Sequence, residues 1–384
     1  MAFSLYVHIP WCRAKCPYCD FNSHAAAAWP EDEYVAALIA EMRARSANPA
    51  FFGQQIATIF FGGGTPSLFA PRSIAAILDA AADRFGLIAD AEITLEANPG
   101  TVDLPKLFGY RTAGVNRISF GAQSFNPDTL RFLGRIHGPE ETRDAVRAAR
   151  RAGFARLNLD LIFAVPGQSR ADVMADLDAA CALEPEHISA YNLTFEEGTA
   201  FFTEMRRGRI RPLPSDDQAA MYASVREELP RRGYAMYEIS NYARVNEESR
   251  HNLTYWRAES YLGIGAGAHS FARDSASPGG RRWWNERMPA RYIAAVQKTG
   301  LAESGGETID ARVAAGEFVF LNLRLRKGFA RREFDERFGQ PLDDLFGQQI
   351  ERLTGDGLLE EHHGRIRLTE RGLEMADSVF AEFI

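Results

Sequence analysis

No apolar run in this chain approaches the ~18 residues needed to cross a bilayer, and the N-terminus lacks a basic stretch followed by an apolar segment. The expected location is therefore the cytoplasm. Cysteine is scarce, with four in 384 residues, three of them at positions 12, 16 and 19. That usage speaks against a disulfide framework and for a reducing compartment in which thiols serve as ligands. Positive charge is short as well: 44 Lys and Arg stand against 51 Asp and Glu, and a net charge of -7 argues against broad nucleic-acid binding. With 46% hydrophobic and 25% charged residues, the chain can bury one large core and a smaller second one.

The clustered cysteines, Cys12, Cys16 and Cys19 in HIPWCRAKCPYCDF, carry the most chemical information. Closely spaced thiolates in one loop hold iron–sulfur clusters, and three ligands on a 4Fe-4S cluster leave one iron open to a small molecule. The competing reading is a structural zinc site, with His8 or His24 as fourth ligand. No second cysteine or histidine hook of the kind used by zinc knuckles is present. Cys181 lies in an Ala- and Leu-rich helical pattern and reads as a bystander thiol.

Strand-like stretches occur at 3–8, 56–61, 91–97, 116–121, 156–164 and 187–193, with helical patterns such as DEYVAALIAEMRARS and RSIAAILDAAADRFG between them. Repeated strand–helix units imply an α/β fold with a parallel sheet, and right-handed crossovers curl it into a partial (β/α)6 TIM-like barrel. Functional residues then belong just after the strands. The cysteines, the turn Gly62-Gly63-Gly64-Thr65-Pro66, Glu96, Gln123 and Asp160 lie at or near these strand ends. Glycines let a backbone approach a ligand, although a plain tight turn has the same composition. Glu96 and Asp160 read either as solvent-facing carboxylates or as buried acceptors for hydroxyl groups.

The segments YVHIPWC, CPYCDFNSH, FFGGGTPS, SFGAQSFN, LGRIH, LDLIFAVPGQ and YLGIGAGAHS resemble, in the same order, the radical S-adenosylmethionine (SAM) family of oxygen-independent coproporphyrinogen III dehydrogenases and HemW-type heme chaperones. The resemblance implies a radical SAM barrel, a 4Fe-4S cluster on Cys12, Cys16 and Cys19, and S-adenosyl-L-methionine on its open iron. It assigns contacts with that cofactor to Tyr6, Gly63, Gly64, Thr65, Glu96, Gln123, Arg135, Asp160 and Thr194, and places Tyr18 beside the cluster. Two departures from the dehydrogenases favour the chaperone branch: Phe21 stands where they carry a further cysteine, and only eleven residues precede Cys12.

The segment His251-Asn252-Leu253-Thr254-Tyr255-Trp256 resembles the HN-x-x-YW motif of the chaperone branch. It implies heme contact through His251 and Tyr255, which share a face if the segment is helical. A core-packing aromatic cluster is the other reading, and His269 reads as a neighbour of the cofactor pocket. The branch implies a heme chaperone that passes heme to acceptor hemoproteins, membrane-associated ones included, with peripheral membrane contact. Alternatives are oxidative decarboxylation in porphyrin biosynthesis, and a redox or structural cluster without cofactor turnover. Homodimerisation is left open.

Residues 1–270 are read as the barrel with the cluster and cofactor site, 271–306 as a connecting segment, and 307–384 as a small, mainly helical C-terminal domain. RDSASPGGRR and ESGGE read as breaks. Helices followed by a hairpin near His362-His363 resemble a winged helix. Residues 305–384 nevertheless carry 11 Lys and Arg against 16 Asp and Glu, the wrong balance for a DNA footprint.

Overall fold

The computed structural model describes residues 2–274 and 277–384. All six expected strands form: β1 (Ala2–Ile9), β2 (Gln55–Gly63), β3 (Leu87–Ala97), β4 (Arg117–Gln123), β5 (Arg156–Phe163) and β6 (His187–Asn192). They pair in parallel and in sequence order, because a helix-bearing crossover separates each from the next. The crossover helices are α1 (Glu31–Arg45), α2 (Pro71–Phe85), α3 (Leu104–Ala113), α4 (Pro139–Arg151) and α5 (Arg170–Cys181), and α6 (Ser215–Arg231) follows β6. Local signals fix their ends. Pro71 opens α2 and Gly86 follows it at φ 74, while Ser169 and Asp172 cap α5 reciprocally.

The period of two in the strands decides which face does what. Leu5, Val7, Ile59, Phe61, Ile93, Leu95, Ile118 and Phe120 are buried in one cluster with Leu38, Ile74, Leu78 and Leu107 of the helices. The opposite face is polar. Register sets Tyr6, Phe60, Thr94 and Arg117 in one row and Glu96, Ser119, Asn158 and His187 in the next. The barrel interior is thus a lined cavity rather than layers of branched apolar side chains.

Six further strands extend the sheet to twelve. β7 (Ala235–Glu238) and β8 (Asn241–Ala243) join beyond β6. On the free side of β1 lies β9 (Tyr261–Ile264), parallel to it, followed by β10 (His269–Arg273), β11 (Gly280–Asn285) and β12 (Glu303–Ile309) in antiparallel order. The stretch expected to connect two domains, 271–306, is therefore part of the main sheet. Its polar loop includes residues 275–276, which lie outside the described residues. ESGGE is a strand and not a break: a side chain at Gly305 would strike the Trp284 indole, so glycine there answers a packing demand.

The C-terminal unit has its own apolar core, in which Phe318, Phe329, Phe334, Phe338 and Phe346 meet. The helices Ala311–Leu323, Arg331–Phe338 and Leu342–Gly355 precede the hairpin Leu359–His362 and Arg365–Leu368. Phe329–Ala330 completes a three-stranded sheet, which gives the winged-helix arrangement. Among the described residues no helix is long and apolar enough to cross a membrane.

One buried ion pair ties the barrel floor together. Arg117 Nη1 lies 2.9 Å from Glu92 Oε2, with both side chains at most 2% exposed. The other Glu92 oxygen accepts the backbone N–H of His251 at 3.1 Å. Removing one partner strands the other charge, so Arg117→Met should destabilise the chain by about 3–5 kcal/mol in chemical denaturation. Arg117→Met combined with Glu92→Leu should recover part of that loss.

Candidate functional site

The three thiols are presented by a loop with its own scaffold. Trp11–Cys12 and His24–Ala25 pair as short parallel strands at its base. Cys19 N–H donates to the Cys16 carbonyl at 3.1 Å, and Lys15 Nζ donates to the carbonyls of Phe21 and Ser23, each at 3.1 Å. All three cysteines are free and half-buried. Burial pushes the Cys12 and Cys19 thiols up, so ligand binding there must displace their protons.

Among the described residues, no three His, Cys, Asp or Glu side chains converge as a single metal ion requires. Three cysteines from one loop are a donor set that fits a cluster, which takes one thiolate on each of several irons. Two residues predicted from sequence touch these sulfurs. Thr65 Oγ1 donates to Cys12 Sγ at 3.4 Å, and Arg135 Nη1 reaches Cys16 Sγ at 3.4 Å and the Tyr18 hydroxyl at 3.5 Å. Arg135 also donates to the Gly121 carbonyl at 2.9 Å, while its buried Nε has no hydrogen-bond partner among the described residues. Gln123, at φ 66, packs at the same side of Gly121 as Arg135: a Cβ at Gly121 would meet Gln123 Nε2 at 2.8 Å and Arg135 Nη2 at 3.2 Å.

The glycine turn joins this loop to the barrel cavity. Gly64 N–H donates to the Ile9 carbonyl at 2.7 Å, and a Cβ at Gly64 would sit 2.6 Å from the Trp11 carbonyl oxygen. Gly63 has φ 110, and a Cβ there would enter the His8 imidazole. Both positions therefore require glycine. Gly63 N–H donates to Glu96 Oε2 at 3.3 Å.

The cavity, of about 710 Å³, brings together Tyr6, Gly63, Glu96, Asp160 and Tyr255 from the sequence reading. Burial, together with the charge of Asp160, raises Glu96 from its ordinary 4.5 to about 8. Burial also raises Asp160, against hydrogen bonds from Ser119 at 2.9 Å and Asn158 at 2.8 Å. The two carboxyls are thus partly buried in the cavity wall and not solvent-facing strand ends. Thr194 is exposed just beyond β6 and does not line the cavity.

The segment is helical, α7 (Arg250–Trp256), so His251 and Tyr255 share a face, but His251 points into packing. It is 1% exposed and stacks on Phe60 at 5.0 Å. Nδ1 meets Thr58 Oγ1 at 2.7 Å and Nε2 meets the Tyr255 hydroxyl at 2.9 Å, so both nitrogens are engaged. Burial lowers it to about 3, which keeps the ring neutral. An axial-ligand role would require giving up one of these bonds; as placed, His251 orients Tyr255 at the cavity wall.

Several cavity residues were missed from sequence: Ser119, Asn158, His187, Ser189 and Tyr191 on one wall, and Trp284 and Arg287 on the other. Polar residues at every second position of otherwise apolar strands, as in LNLD and HISAY, were the readable signal.

The radical SAM superfamily model matches residues 6–180, and that of the HemN C-terminal domain matches residues 309–374. A protein described as heme chaperone HemW from Haemophilus influenzae is 44% identical over 377 residues, covering 96% of this chain and 94% of that one. HemW proteins from Escherichia coli and Bacillus subtilis are 39% and 35% identical; each covers 99% of this chain, with 98% and 99% of the relative's own length matched. Among solved structures, coproporphyrinogen III oxidase (HemN) from Escherichia coli, described as a radical SAM enzyme, superposes with a TM-score of 0.84 at 24% identity. That match covers 100% of this chain and 90% of the other, and it establishes the fold.

The raised Glu96 makes a pH prediction for the cofactor-free chain. The folded chain holds this proton up to about 8, whereas the unfolded chain releases it above about 4.5. Glu96 therefore favours folding most below that range, and its contribution is lost as pH rises toward 8. Buried His8 and His251, lowered to about 4 and about 3, act in the opposite sense below pH 6.5. Glu96→Gln should thus gain stability relative to the parent as pH rises from 5 to 8, by a few kcal/mol at most since one pKa unit is ~1.4 kcal/mol. Denaturation midpoints of both proteins across that range check it; parallel curves would refute it.

Proposed function

The chain belongs to the HemW family of heme chaperones within the radical SAM superfamily, and from that premise we propose that it binds heme in the barrel cavity and delivers it to hemoproteins. The observation that carries the reading is the adjacency of the two sites. The loop bearing the three thiols and a large cavity with polar walls and exposed aromatic groups share one glycine turn.

Cys12, Cys16 and Cys19 would hold a 4Fe-4S cluster, whose open iron would supply reductive cleavage of S-adenosyl-L-methionine when both are bound. Arg135 sits beside Cys16, where a guanidinium offsets the negative charge of a thiolate-bound cluster or meets a carboxylate. Gly63 and Gly64 let the turn pack against His8 and the Ile9 and Trp11 carbonyls, which sets its place beside the thiol loop. Glu96 and Asp160 are placed to accept hydrogen bonds from the hydroxyls of a sugar, with Ser119 and Asn158 holding the Asp160 carboxyl in position. Tyr6 closes this corner, its hydroxyl 3.0 Å from His8 Nδ1.

On the heme side, Tyr255, Tyr261 and Trp284 offer apolar faces, and Phe21 adds one where the dehydrogenases have cysteine. Phe21 is 60% exposed, the surface character of a contact awaiting a ligand. Acceptor hemoproteins, including membrane-associated ones, are the proposed recipients.

Two experiments test the reading. Protein purified and reconstituted without oxygen should hold about four irons and four sulfides per chain. Replacement of Cys12, Cys16 or Cys19 by Ala should abolish the cluster, and Cys181→Ala should leave it intact. Gly63→Ala should keep the iron yet lose the perturbation of the reduced cluster's spectrum by S-adenosyl-L-methionine. In the second experiment, cluster-loaded protein is offered heme or coproporphyrinogen III. Heme binding without decarboxylation is expected; steady decarboxylation with no heme affinity would replace the chaperone reading by the dehydrogenase one.

A further inference from the structure

Three histidines bordering the cavity or its floor have both ring nitrogens committed. His8 meets the Tyr6 hydroxyl at 3.0 Å and the Asn22 carbonyl at 2.8 Å. His187 meets Asn158 Oδ1 at 2.6 Å and the Tyr237 hydroxyl at 2.9 Å. His251 meets Thr58 and Tyr255. A ligand iron needs a nitrogen lone pair that is free and faces the ligand.

His269 differs from all three. It opens β10, lines the cavity and is exposed, and its ring nitrogens bond to no described residue. Its cross-strand neighbour is Trp284, and the two rings stack at 5.7 Å with an interplanar angle of 28°. The stack fixes the imidazole plane without using a nitrogen. Partial burial and the nearby guanidinium groups of Arg282 and Arg287 lower His269, which keeps it in the neutral form that binds metal. Arg287 lines the same cavity, is exposed and has no ion pair among the described residues. Phe21 contributes an exposed apolar face to the lining.

We propose that His269 is the residue of this chain that ligates the heme iron, with Trp284 holding the imidazole through its stack, Phe21 as an apolar wall for the macrocycle and Arg287 as the partner of a propionate. An imidazole for the metal, an exposed aromatic face for the ring and a free guanidinium for a carboxylate match the three chemical parts of heme. The inference rests on the heme-binding reading above and names the ligand within it. His251 then acts as a positioning residue through Tyr255.

The test titrates cluster-loaded, full-length protein with heme and records the difference absorption spectrum and the electron paramagnetic resonance of the ferric form. His269→Ala and His269→Gln should lose the imidazole-ligated spectrum and weaken binding by about tenfold, while keeping the parent's iron and sulfide content as evidence of folding. Free imidazole should restore the band in His269→Ala. His362→Ala, in the exposed hairpin turn, should match the parent and so exclude adventitious surface ligation. If the parent binds heme and both His269 variants retain its spectrum and affinity, this assignment is overturned and the chaperone reading stands. If the parent binds no heme, both fall together.

Discussion

Every polar side chain turned into a barrel must find a partner, because an unpaired buried polar group costs more than a hydrogen bond returns. In this chain that constraint organises the interior. Ser4, Thr58 and His251 satisfy one another at the floor, with Ser4 also bonded to Thr254 of α7. Glu92 and Arg117 form the ion pair above them, and Ser119, Asn158, His187 and Ser189 form a ladder across β4, β5 and β6. What is left over is informative. Among the described residues Glu96 gains only one long hydrogen bond, from Gly63, buried Thr94 Oγ1 has no partner, and the exposed His269 ring has none. The unmet groups face the same cavity, and a ligand is the natural way to meet them.

The wall that carries Trp284 and His269 is held by a different buried charge. Glu41 of α1 accepts from the Tyr292 hydroxyl at 2.7 Å, from Gly265 N–H at 3.0 Å and from Asn285 Nδ2 at 2.8 Å. Asn285 follows Trp284 directly, and Tyr292 belongs to the helix Pro289–Thr299 packed on α1. A fully buried carboxylate with three donors locks these pieces into one geometry, which is the rigidity that a flat ligand needs from its pocket.

Five of the parallel strands were legible because they alternate apolar and polar residues over at least six positions, β2 because it is a short, mostly apolar run ending in glycines, and their helices because stop signals such as Gly86 follow them. β7 to β12 were not. They are short or polar, and Gly305 and Gly306 read as loop punctuation although they make room for Trp284 and Trp283. The cysteines and the glycine turn were legible from spacing alone. Their neighbours were harder, since the partner of Asn158 is His187, 29 positions away, and that of Thr58 is His251, 193 away. A motif shows that His251 matters but not which way it faces. Direction depends on the polar row beneath it, which no local pattern contains.

The two halves of the site are mechanically continuous. Thr65 touches Cys12, Gly63 touches Glu96 and crowds His8, and His8 holds the Asn22 carbonyl. Asn22 lies three residues after Cys19 and donates to the carbonyls of Ala266 and Arg287, each at 2.9 Å. The segment that ends the cysteine loop therefore pins the stretch that precedes β10 and the residue that would face a propionate. A group that orders the thiol loop also fixes Asn22, and through it the far wall of the cavity. The thiol loop and the far cavity wall are thus joined by a chain of direct hydrogen bonds, so a group bound at the one would bear on the shape of the other.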